Sequence, residues 1–141
     1  MNQKLPLPTP SMFEDVLRFH MEVLNQDPRA PQLLDDKTTQ ARYQFMEEEL
    51  YEFQESVAAQ DIVGAADALA DLIYVALGTA YLMGLPFGDI WDAVQEANMR
   101  KVPGFTKRGM PNDAMKPEGW VGPEARIEAA IGDSLSSWME P

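Results

Sequence analysis

The sequence predicts an all-α domain of the four-helix-bundle type, and three observations carry that prediction. Apolar residues recur at helical spacing in successive segments, whereas strand-like alternation is absent. Ser11 and Asp61 stand directly before two of these segments, where helix N-caps are expected. The chain of 141 residues is long enough for one domain with a substantial core. We therefore expect a single bundle followed by a loop-rich C-terminal segment and a short terminal helix.

The helices follow one another along the chain with clear breaks between them. The first helix opens at a capping box, Ser11-Met-Phe-Glu14, and is predicted to run to about Asn25. Further helices are predicted at about 36–59, 61–84, 86–100 and 124–138, with the glycine- and proline-rich stretch 101–123 as a loop. In domain terms, residues 1–10 form an N-terminal arm, 11–123 the main domain and 124–141 a peripheral helix.

The composition excludes several classes of chemistry. The chain has no cysteine, which excludes a thiolate metal site, and its single histidine, His20, argues against a histidine zinc site and leaves little material for serine–histidine catalysis. The formal charge of −12 argues against a nucleic-acid partner or an anionic membrane. No apolar targeting segment opens the sequence, so we expect a cytoplasmic protein.

The third helical segment is apolar on nearly all sides. Of the 27 residues between Asp61 and Asp89, only Asp67 and Asp71 are charged. The uncharged run from Leu72 to Phe87 spans 16 residues, whereas a membrane span needs about 20, so we expect a buried core helix. One chain with about four helices can hardly cover such a helix, which predicts a homodimer or homotetramer.

Two acidic clusters lie on consecutive helices. Asp67 and Asp71 are four residues apart and therefore point from one face of the third helix. The second helix carries five carboxylates between residues 47 and 55, of which Glu49 and Glu52 are the best placed to reach the core margin. Buried carboxylates are costly unless a cation compensates them, so we expect a divalent-metal site. A solvated acidic face is the alternative for the second helix.

A basic segment follows the fourth helix. Five of the eleven basic residues fall within 17 positions, where only Asp113 opposes them: Arg100, Lys101, Lys107, Arg108 and Lys116. We expect these side chains to bind a polyphosphate, with Trp120 as a candidate for stacking on a base; a solvated basic loop is the alternative. Trp91 on the fourth helix is a second candidate for stacking, but we expect it inside the core.

Four motifs resemble the all-α nucleoside triphosphate pyrophosphohydrolases, the MazG-like enzymes related to phosphoribosyl-ATP pyrophosphohydrolase and the dimeric dUTPases. They are Glu48-Glu49-Leu-Tyr-Glu52, residues 67–75, Asn98-Met-Arg-Lys101 and the proline-rich residues 116–123, which are similar to the closing loop of phage and bacterial members. The resemblance covers about residues 11–123. If the chain is phage-encoded, the expected location is the host cytoplasm.

The resemblance implies a role for each matching residue. Glu49, Glu52 and Asp71 match metal ligands, and Glu48 matches a glutamate that assists a second metal or the attacking water. The family's second motif has a glutamate where this chain has Ala68, and Asp67 is the expected substitute. Asn98 and Lys101 match an element that faces the phosphates, and Lys107, Arg108, Lys116 and Trp120 lie on the closing loop.

The implied reaction converts a nucleoside triphosphate and water to the monophosphate and pyrophosphate, with Mg²⁺ or Mn²⁺. Oxygen-only ligands agree with these hard cations. A purine such as dGTP or GTP is the preferred substrate, while dUTP and phosphoribosyl-ATP remain alternatives with the same chemistry. A di-iron carboxylate bundle needs two Glu-x-x-His pairs, which one histidine cannot supply. A non-catalytic helical oligomerisation module is the alternative from another class.

Overall fold

Helices make up most of the part of the chain that the computed structural model describes, residues 11–105 and 108–141. The helices are α1 (Met12–Arg18), α2 (Asp36–Ala58), α3 (Ile62–Leu82), α4 (Phe87–Met99) and α5 (Glu124–Met139). The all-α prediction is therefore confirmed. The N-terminal arm predicted at residues 1–10 lies outside the described residues, and so does Lys107.

Side-chain caps start the first three helices. Ser11 Oγ accepts a hydrogen bond from the backbone N–H of Glu14 at 3.1 Å, as the capping box predicts. Asp35 caps α2 through Thr38, and Asp61 caps α3 through Gly64 at 2.9 Å. These bonds satisfy N–H groups that have no partner inside the helix, which explains why the starts were readable from sequence.

Two local departures from the sequence prediction concern backbone geometry. The first helix changes to a π-helical turn over Phe19–Val23 instead of continuing as an α-helix, and this turn contains His20, which is only 3% exposed. Within the segment predicted as a loop, β1 (Val102–Gly104) pairs antiparallel with β2 (Asp113–Met115). Strands of three residues are too short to show a recognisable alternation of polar and apolar side chains.

The chain forms two compact units, which divide after Gly84. In the first unit, α2 and α3 form an antiparallel hairpin, and α1 packs against α3. Its buried core is built mainly from α3 and comprises Val16, Ala68, Leu77, Ala80, Tyr81 and Leu82. Gly84 ends the helix as predicted, because its φ of +67° suits a residue without Cβ.

Much of the apolar surface of this hairpin is exposed within one chain. On α3, Ile62 and Val63 are 82% and 76% exposed, so the expected burial on all sides does not occur within the monomer. Three large apolar residues of α2 are also more than half exposed: Tyr43, Leu50 and Val57. By length and composition α3 could cross a membrane, a property shared by core helices of soluble proteins.

The second unit comprises α4, the β1–β2 hairpin and α5. The buried face of α4 consists of Ile90, Ala93 and Ala97. Trp91 is 59% exposed, so its predicted place in the core was wrong: it follows Ile90 by one residue and points from another side of the helix. The helix α5 packs against α4, and Arg126 forms an ion pair with Glu96.

The turn between α2 and α3 contains a strained residue. Gln60 has a φ of 56°, a left-handed conformation that costs a residue with Cβ about 1 kcal/mol or more. We expect Gln60→Gly to raise the free energy of unfolding by up to about 1 kcal/mol in urea denaturation. Its neighbour Ala59 has a φ of −84°, so Ala59→Gly should lower stability instead. Stabilisation by both substitutions would contradict this explanation.

Candidate active site

The α2–α3 hairpin brings the two acidic clusters together. The pKa of the Glu49 carboxyl lies above its usual range, and burial is the largest cause of this increase. The negative charges of Glu52, Asp71 and Asp67 raise it further, and among these charges Glu52 has the largest effect. Carboxylates from both helices therefore lie within electrostatic reach of Glu49, as the sequence predicted.

One oxygen of Glu49 is buried without a partner. Its Oε2 is inaccessible to solvent and has no hydrogen-bond partner within the described residues. Burying an oxygen of an ionised carboxylate without compensation is costly, and such groups are uncommon in folded proteins. A cation would compensate it, yet within the described ranges the ion pairs involve none of the acidic residues of this cluster.

The other acidic candidates differ in exposure. Asp71 is half-buried, whereas Glu48, Glu52 and Asp67 are exposed. Ala68 occupies the family's glutamate position and is only 1% exposed. Asp67 precedes it, and its charge reaches Glu49, as a substitute for that glutamate requires.

The donor set of the cluster fits a hard divalent cation. Every candidate ligand is a carboxylate oxygen, and Mg²⁺ and Mn²⁺ are bound by such ligands. Among residues 11–105 and 108–141, no three acidic side chains converge closely enough to form a ready-made metal site. Unpaired carboxylates repel one another, which keeps their side chains apart. The two helices already bring these side chains within reach of one another, so binding of a cation would require only that the side chains rotate.

In the second unit, Trp120 organises part of the basic segment. The Lys101 and Lys116 ammonium groups lie 5.3 and 5.0 Å from the centre of its indole ring, within the range of cation–π attraction. The indole N–H donates to the carbonyl of Ala97 at 2.8 Å. The indole thus ties the end of α4 to the loop before α5, and its ring contacts two ammonium groups. Its stacking on a base stays a prediction.

The remaining candidates of this segment have different surroundings. Arg108 forms a two-pronged ion pair with Asp113 of β2, with hydrogen bonds of 2.8 and 2.7 Å. This pair holds the guanidinium on the β-hairpin. Asn98 is exposed, and its backbone carbonyl accepts from the N–H of Lys101 at 3.0 Å. The predicted phosphate contacts of these residues stay predictions.

Sequence reasoning missed one residue that joins the two acidic helices. Arg42 reaches from α2 to α3, where Nε donates to Thr79 Oγ1 at 3.0 Å and Nη2 to the carbonyl of Val75 at 2.9 Å. The available signal was its spacing: Arg42 precedes Glu49 by seven residues, about two helical turns, and so shares its face of α2.

The acidic helical hairpin lies within a region that matches a known family. The family model for phosphoribosyl-ATP pyrophosphohydrolase matches residues 16–98, more than half of the chain. The chain therefore belongs to this family, which is part of the MazG-like superfamily, and it acts as a pyrophosphohydrolase on a nucleotide. No curated protein matches the chain. The matched region includes both acidic helices and ends at Asn98, before Lys101 and Trp120.

The raised pKa of Glu49 predicts how stability depends on pH. The folded protein holds a proton on this carboxyl more tightly than the unfolded chain does. The metal-free protein should therefore lose stability as pH rises from the unfolded pKa through the raised folded pKa. Glu49→Gln should remove this component, as seen in the unfolding temperature measured against pH with a chelator present.

The control is Glu47→Gln, which replaces an exposed carboxylate of the same helix by an uncharged amide. This variant should follow the wild-type profile. If the Glu49→Gln profile also coincided with that of the wild type, the carboxyl would not be under the strain inferred for it.

Proposed function

We propose that the protein hydrolyses a nucleoside triphosphate to the monophosphate and pyrophosphate with Mg²⁺ or Mn²⁺ as cofactor. The observation that carries the proposal is the buried, unpartnered Oε2 of Glu49. Three further carboxylates lie within electrostatic reach of it, on the two helices that the family match covers. The proposed metal ligands are Glu49, Glu52, Asp67 and Asp71.

The remaining roles follow from charge and exposure. A bound divalent cation supplies charge neutralisation for the phosphates and acidifies a bound water. Glu48 is exposed next to Glu49 and is proposed to orient the attacking water. Phosphate binding is assigned to Asn98, Lys101, Lys107, Arg108 and Lys116, with Trp120 against the base. The ammonium pair on the Trp120 ring supports this assignment, since preorganised cations stabilise phosphate charge.

The identity of the nucleotide is a separate part of the proposal. A purine triphosphate such as dGTP or GTP is our first candidate, on the resemblance of residues 116–123 to the closing loops of phage enzymes. Phosphoribosyl-ATP is the second candidate, because the matching family model carries its name. In both molecules the bond cleaved joins the α and β phosphates. A purely structural helical module would leave the Glu49 oxygen buried without compensation.

Product analysis tests the reaction. The purified protein is incubated with Mg²⁺ and a panel of the eight common NTPs and dNTPs, dUTP and phosphoribosyl-ATP. We expect monophosphate and pyrophosphate from at least one of them, because cleavage falls between the α and β phosphates. Asp71→Asn should abolish turnover while retaining the fold, whereas Glu47→Gln should retain turnover. Diphosphate and orthophosphate as first products would refute the proposed reaction.

We also propose that two copies of the chain associate, in a homodimer that can pair further into a tetramer, in the cytoplasm. The exposed apolar residues of α2 and α3 support this, since a monomer rarely exposes so many large apolar side chains on one pair of helices. No membrane or nucleic acid is included among the proposed partners, in view of the net charge of −12.

Light scattering tests the assembly. The wild-type protein should have at least twice the mass of one chain at micromolar concentration. Leu50→Lys places a charge on the exposed stripe of α2 and should lower the measured mass, because a buried unpaired charge disfavours association. Leu33→Lys changes an exposed leucine outside the helices and should not. A wild-type monomer would rule the assembly out.

A further inference from the structure

Two sets of residues at seven-residue spacing face each other along the α2–α3 hairpin. On α2 they are Arg42, Glu49 and Ser56, and on α3 they are Gly78, Asp71 and Gly64. Seven residues make about two helical turns, so each set lies along one face of its helix. Because the helices are antiparallel, the sets meet as three levels, with Glu49 and Asp71 in the middle.

At the first level, Gly78 allows Arg42 to approach α3 closely. A Cβ at position 78 would lie 2.8 Å from Arg42 Nη2 and 2.5 Å from His20 Nε2, closer than non-bonded atoms tolerate. The guanidinium uses this space to donate to Thr79 Oγ1 and the carbonyl of Val75. Both of these hydrogen bonds join α2 to α3. Within the described residues, Arg42 forms no ion pair with a carboxylate.

At the third level, the turn fixes the other end of the hairpin. A Cβ on Gly64 would lie 2.5 Å from Asp61 Oδ2 and 2.6 Å from Ser56 Oγ, so the glycine leaves room for both side chains where the helices converge. The backbone N–H of Asp61 donates to the carbonyl of Ser56 at 2.8 Å, and the Asp61 side chain caps α3. The relative position of the helices is thus determined near the turn.

The middle level has no attraction of its own. Glu49 and Asp71 carry like charges, and each would be more stable further from the other. The contacts at the two flanking levels must therefore oppose the repulsion. The turn opposes it at one end, and Arg42 is the side chain that joins the helices by hydrogen bonds at the other end.

We propose that Arg42 is a positioning residue, which fixes the register of α2 against α3 and thereby holds Glu49 opposite Asp71. A slip of one residue moves a helix by about 1.5 Å along its axis and turns its side chains by about 100°. Such a slip would take Glu49 out of the shared site. The inference rests on the proposed function, because it assigns Arg42 to the metal site formed by these carboxylates.

The first measurement is the affinity of the metal-free protein for Mn²⁺, followed by electron paramagnetic resonance. Arg42→Ala should weaken binding about 10- to 100-fold, as loss of groups that orient metal ligands does elsewhere. Arg42→Lys keeps one hydrogen-bond donor to α3, so its Mn²⁺ affinity should fall between those of Arg42→Ala and the wild type. Affinity equal to that of the wild type in a folded Arg42→Ala variant would overturn the proposal.

The matched control is Tyr81→Phe. It removes the hydrogen bond of 2.6 Å from the Tyr81 hydroxyl to the carbonyl of Gln26, which ties α3 to the loop before α2. This variant should lose stability without losing Mn²⁺ affinity. Equal losses of affinity in Tyr81→Phe and Arg42→Ala would show that general destabilisation explains the effect, and would overturn the proposal.

The second measurement reports the register without metal. The chain has no cysteine, so spin labels at Gln44→Cys and Ala76→Cys, both exposed and both near the Arg42 level, are specific. Double electron–electron resonance should give a narrow distance distribution with Arg42 and a broader or shifted one with Arg42→Ala. An unchanged distribution would overturn the proposal. If the wild type bound no Mn²⁺ but Arg42→Ala still changed this distribution, the proposed function would fail while the register role held.

A further variant covers the case in which Arg42→Ala does not fold. Gly78→Ala retains Arg42 but places a methyl group 2.8 Å from its Nη2 and 2.5 Å from His20 Nε2, and alanine favours the helix more than glycine does. Its loss of Mn²⁺ affinity together with a changed label distance would support the role of Arg42. Wild-type values for both would overturn it.

Discussion

The structure depends on one unfavourable interaction, the enforced proximity of the Glu49 carboxylate to the acidic residues of α3. Burial and neighbouring negative charges both raise the pKa of this carboxyl, and its Oε2 has no partner within the described residues. Two helices bearing like charges would separate without other contacts. The capped turn at Asp61, the glycine approaches and the Arg42 hydrogen bonds supply those contacts. In the proposed function, a divalent cation would offset this repulsion.

Features encoded by neighbouring residues could be predicted from the sequence. The caps at Ser11 and Asp61 and the helix end at Gly84 follow from local hydrogen bonding and backbone conformation. The proximity of the two acidic clusters could also be predicted, because a short turn makes successive helices antiparallel neighbours. The all-α fold and the family were therefore recognisable before any coordinates.

Features that depend on tertiary register could not be predicted in this way. Trp91 is exposed because the buried face of α4 is centred on Ile90, Ala93 and Ala97, and periodicity alone places this centre to within one residue at best. The tie from Arg42 to Thr79 joins residues 37 positions apart. Tyr43, Leu50 and Val57 of α2 are exposed in one chain, and helical spacing alone does not show whether a neighbour covers such a face. The roles of the individual site residues remain predictions.

The composition of α3 shows how the fold tolerates the acidic site. Glycine inside a helix costs about 1 kcal/mol relative to alanine, and α3 contains Gly64 and Gly78 at the two levels that flank Asp71. At both positions a Cβ would collide with a side chain of α2. The glycines thus weaken α3 locally, but they let α2 approach closely enough for Arg42 and Ser56 to fix its position. Helices packed at a greater distance would reduce the repulsion between Glu49 and Asp71, and would also take these two carboxylates out of electrostatic reach of one another.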